Sequence, residues 1–231
     1  MKIGFVSLGC SKNLVDTEVM LKILADAGHV ITPDETEADI IVVNTCGFIQ
    51  SAKEEAIENI LDVAWLKENR SLKGIIAAGC LAERYREQIL EELPEVDAVI
   101  GTGSYHKIAE AVDAIAKGEK YTSFEDKEES PLGGERILTT PEYTAYLKVA
   151  EGCDNRCTYC AIPLIRGKMR SRKMEDIVKE AKELEAIGVK ELNLIAQDTS
   201  RYGLDLYGEY KLHELIKLIC KETKIPWIRL L

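Results

Sequence analysis

Three short apolar runs in the first half of the chain each end at a cysteine with a glycine beside it. Residues 2–8 lead to Gly9-Cys10, residues 39–45 to Cys46-Gly47, and residues 74–79 to Cys80 after Gly79. The middle run, Asp39-Ile40-Ile41-Val42-Val43-Asn44-Thr45, has no polar face. Such a strand is buried on both sides, as in a parallel sheet. Helical patterns separate the runs. The first covers 13–28, with Leu14, Met20, Leu21 and Leu24 on one stripe. The second covers about 50–69, opened by Ser51 with Glu54 and Glu55 in its first turn, and the third runs to about Glu92 before Pro94. A fourth run at 98–101 precedes a helix at about 105–117. This alternation predicts an α/β fold with an N-terminal doubly wound parallel sheet.

In open parallel sheets the C-terminal strand ends share one edge, where ligands bind. Cys10, Cys46 and Cys80 are 36 and 34 residues apart, about one βα unit each. Topology alone therefore brings three thiols to one rim. The competing reading is three unrelated core cysteines, since free cysteine is commonly buried.

The second half concentrates its cysteines instead. Cys153, Cys157 and Cys160 fall within eight residues as C-x3-C-x2-C. An odd, crowded set cannot pair off as disulfides, but three thiolates can wrap one small inorganic cube. That describes a 4Fe–4S cluster with one iron free of protein ligands. The free iron can bind a small chelating molecule. Zinc competes as an occupant, yet the next downstream histidine, His213, lies far along the chain. A ferredoxin-type electron carrier competes too, but that pattern needs four cysteines per cluster.

The chain of 231 residues is long enough for two domains. Its start runs straight into a strand pattern with no signal peptide, and no apolar run approaches the ~18–20 residues that span a bilayer. We expect a cytoplasmic protein without membrane association, in a compartment that keeps its seven cysteines reduced. Residues 1–140 carry 14 Lys and Arg against 26 Asp and Glu, or −12, whereas residues 141–231 carry 16 against 14, or +2. The acidic first part is a poor general nucleic-acid binder and suits a basic partner; a solvated acidic surface is the plainer account.

The expected organisation is a first domain over 1–118, a linker over 119–140 and a second domain over 141–231. The linker is charge-rich and then aperiodic through Pro131-Leu132-Gly133-Gly134. The second domain opens with a strand at 145–150 that delivers the cysteine loop. A basic turn (Arg166 to Lys173), a helix at 174–187, a strand at 191–196, a helix at about 211–222 and a strand at 226–231 follow. These make a second parallel βα series of two units and a strand, far fewer than a closed barrel needs. A third strand with nothing beyond it leaves an open edge, so we expect the front part of a longer protein. Gln197 and Asp198 lie where barrel enzymes place active-site groups. The basic turn meets either a cofactor carboxylate or solvent. Cys220 shares a helical stripe with Leu215, Ile216 and Ile219 and is expected in the core. Asn13 and Asn44 either order the cysteine turns or cap ordinary ones.

The loop Cys153-x3-Cys157-x2-Cys160, with Tyr159 before its last cysteine, resembles that of the radical S-adenosylmethionine superfamily. The whole chain resembles the methylthiotransferases of that superfamily. Ser7-Leu8-Gly9-Cys10-Ser11-Lys12-Asn13-Leu14-Val15-Asp16-Thr17-Glu18, Asn44-Thr45-Cys46-Gly47-Phe48-Ile49 and Ala161-Ile162-Pro163-Leu164-Ile165-Arg166-Gly167 are similar to the ribosomal-protein branch. The tRNA-modifying branch tends to carry Gln-Met-Asn after the first cysteine and a basic segment after the second. The resemblance implies a radical-SAM partial TIM barrel over 141–231, with Tyr159, Gln197 and Asp198 at the cofactor. It also implies a second 4Fe–4S cluster on Cys10, Cys46 and Cys80. The implied reaction is methylthiolation of the β-carbon of an aspartate in a small-subunit ribosomal protein. S-adenosylmethionine would be radical source and methyl donor, the auxiliary cluster would take part in sulfur transfer, and flavodoxin or ferredoxin would supply electrons. Nucleic acid would be met only through the ribosome or a C-terminal TRAM-like domain that family members add. The alternatives are a tRNA adenosine methylthiotransferase and a non-catalytic iron–sulfur fragment.

Overall fold

Each apolar run of the first half forms a strand in the computed structural model, which describes residues 1–231. The chain divides into two units: Met1–Ser130 with Glu135–Ile137, and Pro131–Gly134 with Leu138–Leu231. The first unit runs β1 (Lys2–Ser7), α1 (Ser11–Asp26), β2 (Val30–Ile31), β3 (Ile40–Thr45), α2 (Gln50–Asn69) and β4 (Gly74–Gly79). It continues with α3 (Cys80–Tyr85), α4 (Gln88–Glu92), β5 (Ala98–Ile100), α5 (Ile108–Ala116) and β6 (Tyr121–Ser123). All six strands are parallel, in the order β2-β1-β3-β4-β5-β6.

The central strands are apolar throughout because they serve two cores. Ile40 and Val42 join Ile76 and Ala78 in one core, with Met20 and Leu24 of α1 and Ile108 and Val112 of α5. Ile41 and Val43 join Ile75 and Ala77 in the other, with Ile60 and Val63 of α2. Alternate residues of a strand point to opposite faces, so a continuous apolar run is what two helical layers require. The strand order reverses between β1 and β3, and α1 and α2 leave for opposite faces there. In a doubly wound sheet this switch point opens a crevice at the C-terminal edge.

Several local expectations are corrected. Ser51 does not open α2; Ile49 holds the cap position without a side-chain bond, and Gln50 bonds Glu54 across the first turn at 2.9 Å. The helix expected up to Glu92 is two short helices, separated at Arg86, whose φ of 46° no right-handed helix continues. Residues 119–140 are not a plain linker. Tyr121–Ser123 forms the edge strand β6 against β5, and Arg136 pairs in the interior with Glu18 of α1. The amide of Ile137 also donates to the Glu18 carbonyl at 3.1 Å. Lys127 and Arg136 of this stretch meet the buried carboxylates of Glu83 and Glu18. The Glu18 side chain is only 1% exposed. Arg136→Ala is therefore expected to lower the stability of this unit by about 3–5 kcal/mol, the scale of breaking a buried ion pair; urea titration followed by amide exchange in α1 measures it.

The second unit runs β7 (Thr144–Lys148), β8 (Ala150–Glu151), α6 (Ile162–Arg166), β9 (Arg170–Ser171) and α7 (Met174–Ala186). It ends with β10 (Glu191–Ile195), α8 (Leu204–Tyr207), α9 (Leu212–Glu222) and β11 (Trp227–Leu230). Its sheet is parallel, in the order β11-β10-β7, and β11 is an edge strand with Trp227 and Leu230 exposed. Its core joins Leu147, Leu192 and Leu194 to Ile177 and Ala181 of α7 and Leu215 and Ile219 of α9. Cys220 is exposed, which corrects the core assignment. One residue past Ile219 is a 100° rotation, enough to turn it off the buried stripe. No helix of the chain is long and apolar enough to cross a membrane.

Candidate metal centres

The ladder fixes where the first three cysteines stand. Ser7 of β1 lies opposite Asn44 of β3, and Thr45 of β3 lies opposite Gly79 of β4. Cys46 and Cys80 are thus each one residue beyond a paired position, and Cys10 follows at the end of the neighbouring strand. Glycines let these turns approach. A Cβ on Gly9 would sit 2.9 Å from the Cβ of Cys46 and 3.3 Å from its Sγ. A Cβ on Gly47 would sit 2.9 Å from the Leu81 nitrogen, and one on Gly79 2.6 Å from the Thr45 carbonyl oxygen. Asn13, buried at the start of α1, lies among the three turns, with Cys80 Sγ 3.5 Å from its Oδ1. Cys10 is exposed, Cys46 half-buried and Cys80 buried, so the trio grades from solvent into the sheet edge.

The second trio sits in an irregular loop between β8 and α6. Gly152 starts it with a φ of 76°, and a Cβ there would lie 2.0 Å from the Lys168 carbonyl oxygen. The amide of Cys153 donates to Gly167 at 3.1 Å, and that of Cys160 to Cys157 at 3.0 Å. Cys153 is buried, Cys160 half-buried and Cys157 exposed; Tyr159 is 83% exposed. Asn155 anchors the outer part of the loop to the end of β10. Its Nδ2 donates to Asp198 at 2.7 Å and its Oδ1 accepts from Arg201 at 2.9 Å. Bonds from the Ser200 hydroxyl and from Asn155 hold the Asp198 carboxyl below the usual carboxylate range, against partial burial. Asp198 is thus committed to its own turn and to the cysteine loop.

Beneath the loop lies a buried charge cluster that composition does not announce. The carboxylate of Glu151 accepts from Lys148 Nζ at 2.8 Å, Arg166 Nη1 at 3.3 Å and Gln197 Nε2 at 2.7 Å. Burial alone drives this carboxyl up; the facing Lys148 and Arg166 charges, with the bonds from Lys148 and Gln197, overcome that and hold it at about 2. The bond from Gln197 also orients its amide, whose Oε1 is buried with no protein partner. The basic turn is divided: Lys168 and Lys173 are exposed, whereas two of its arginines are buried on partners. Arg166 is 2% exposed on Glu151, and Arg172 is buried between Glu180 and the Lys148 carbonyl. A sequence signal for the cluster exists: Lys148 and Glu151 stand three apart in an otherwise apolar strand, where charges are buried only in pairs.

Nowhere do three or more Cys, His, Asp or Glu side chains converge as a single metal ion requires. A cubane makes a different demand, since each thiolate binds a separate iron and the sulfurs stand further apart. Both trios suit that demand in their chemistry: three thiols each, approached by glycines, without a histidine among them.

The chain thus joins a parallel-sheet unit with three cysteines at its strand ends to a second parallel unit whose C-x3-C-x2-C loop follows β8. Residues 147–230 match the model of the Radical SAM superfamily, and residues 2–101 match that of Uncharacterized protein family UPF0004. The chain is 54% identical over 99% of its length to ribosomal protein uS12 methylthiotransferase RimO of Thermoanaerobacter sp. (strain X514). It is 56% identical over its whole length to the protein of that name in Lachnoclostridium phytofermentans, and 53% identical to that in Desulforamulus reducens. The chain spans about half of the length of these relatives, 52% in each case. Among solved structures it resembles the radical S-adenosylmethionine methyltransferase TsrM of Kitasatospora setae. The TM-score is 0.61 at 14% identity, over 95% of this chain and 51% of that one, a likeness of fold.

Proposed function

We propose that this chain forms the N-terminal and radical S-adenosylmethionine parts of a methylthiotransferase that modifies a small-subunit ribosomal protein at the β-carbon of an aspartate. Identity of 50–56% to relatives named for uS12, extending along the whole chain, carries the reading. In it, Cys153, Cys157 and Cys160 hold one 4Fe–4S cluster and Cys10, Cys46 and Cys80 a second. The bound cluster and S-adenosylmethionine supply one-electron chemistry able to activate an unreactive C–H bond, and the second cluster supplies the sulfur side of the reaction.

The chain's own residues supply position. Gly152 lets the loop turn back against Lys168, and Asn155 ties it to Asp198. Gln197, held by Glu151, offers its unpartnered Oε1 to one of the amino or hydroxyl donors of S-adenosylmethionine. Asp198 serves the same site through Asn155. Tyr159, exposed beside Cys160, covers the cofactor once it is bound. The acidic surface of the first unit favours a basic ribosomal protein. A small cytoplasmic electron carrier such as flavodoxin or ferredoxin completes the proposal.

The test is mass spectrometry of uS12 and of tRNA from a strain lacking the gene. Loss of the methylthio increment from uS12, restored by the intact gene, is the expected result. Loss from tRNA with uS12 unchanged would overturn the choice of substrate.

A further inference from the structure

We propose that Asn13 is the positioning residue of the N-terminal cysteine site, its one carboxamide tying together the three turns that carry Cys10, Cys46 and Cys80. The inference rests on the reading that these three thiols share one cluster. Nδ2 of Asn13 donates to the Leu8 carbonyl at 3.1 Å, two residues before Cys10. It donates also to the Thr45 carbonyl at 2.9 Å, directly before Cys46. Its Oδ1 accepts from the Cys80 thiol at 3.5 Å, a bond that sets the third turn in the metal-free site and ends once Cys80 gives up its proton to bind iron. One side chain, 1% exposed, thereby touches the end of three different strands.

The surroundings are arranged for it. The side chain of Asn44 donates to the Asn13 backbone carbonyl at 2.8 Å and to Thr17 Oγ1 at 2.9 Å, which fixes the start of α1. Gly9 leaves the space the amide needs: a Cβ there would stand 3.3 Å from Asn13 Nδ2. Hydrogen bonding between strands ends at these turns, and no local motif spaces the three cysteines. The amide takes over where the ladder stops, with two donors for two carbonyls and an acceptor facing the third turn. Aspartate has nearly the same shape but would turn an oxygen towards two carbonyl oxygens, which repels where asparagine bonds. Alanine removes the bridge without repulsion.

The test uses the full chain in a Cys153→Ser, Cys157→Ser and Cys160→Ser background, so that only the N-terminal site can load. After anaerobic reconstitution with iron and sulfide, we expect about four irons per chain and the electron paramagnetic resonance signal of a reduced cubane. Asn13→Asp and Asn13→Ala should both fall to below about one iron and lose that signal, as Cys80→Ala does, while circular dichroism stays unchanged. Asn13→Ala keeps the test decisive where Asn13→Asp fails to fold. Thr17→Val is the control for simple loss of support, since Thr17 bonds Ser7 and Asn44 but touches no cysteine turn, and it should keep its iron. Retention of iron and signal by Asn13→Ala would overturn the proposal, as would equal loss in Thr17→Val. Failure of the background protein itself to load iron would instead reject the parent reading and this inference with it.

Discussion

Glu151→Ala is expected to destabilise the second unit by about 3–5 kcal/mol and to prevent iron loading at Cys153, Cys157 and Cys160. The carboxylate is the shared counter-charge of Lys148 and Arg166, whose side chains are 8% and 2% exposed. Removing it leaves two cations in a water-poor interior without the anion they face, which costs far more than the pair itself contributes. It also releases Gln197 and frees the amide of Gly152, which points at Glu151 Oε1 at 3.3 Å. Glu151→Gln keeps the volume and one acceptor and should lie between wild type and alanine. Hydrogen exchange of peptides covering β7 and β10 reads the effect within this unit, alongside iron per chain after reconstitution. Wild-type exchange and iron content in Glu151→Ala would show that the cluster is incidental to the loop.

The second large effect is expected in the first unit, from Gly79→Ala. Gly79 has φ of 93° and ψ of −153°, a region that is essentially glycine's own and costs other residues about 1–3 kcal/mol. The added Cβ would also fall 2.3 Å from Asn44 Oδ1 and 2.6 Å from the Thr45 carbonyl oxygen. Neither neighbour can yield cheaply. Thr45 is held in the β3–β4 ladder, and Asn44 is fully buried, with its Nδ2 bonded to Asn13 and Thr17. Relief must come from moving β4 relative to β3, and that shift carries Cys80 away from Cys46. We expect lower thermal stability together with loss of iron from the N-terminal site, and a loop trio that still loads. Iron counting in this variant, set beside the Cys80→Ala variant, checks it; an unchanged melting temperature would contradict the steric argument.

How much of this was legible in the sequence depends on the length scale over which each signal acts. The central strands were readable because a run such as Ile40-Ile41-Val42-Val43 serves two cores at once and admits no other placement. Edge strands β2 and β6 were not, since two or three residues with polar neighbours make no period. The split at Arg86 depends on one dihedral angle, which composition cannot encode. At the sites, cysteine type and spacing announced both trios. The support beneath them was legible only in part: Asn13 stood as one of two readings of its turn, and Lys148 with Glu151 as a charge pair in an apolar strand. Asn13 acts across 5 to 67 positions of chain and Glu151 across 3 to 46, and only the folded register shows all that they reach.

That register has a consequence for how the two trios respond to unfolding. Cys153, Cys157 and Cys160 close short rings within one loop, whereas Cys10, Cys46 and Cys80 enclose whole βα units. Ring-closure entropy grows as the logarithm of length, so each span of 34 to 36 residues is harder to close than one of three or four by about 2 kcal/mol. Whatever bridges the first trio therefore acts as a cross-link on the denatured chain, pinning β1, β3 and β4 together, and its removal withdraws a topological restraint that the compact loop of the second unit never imposes.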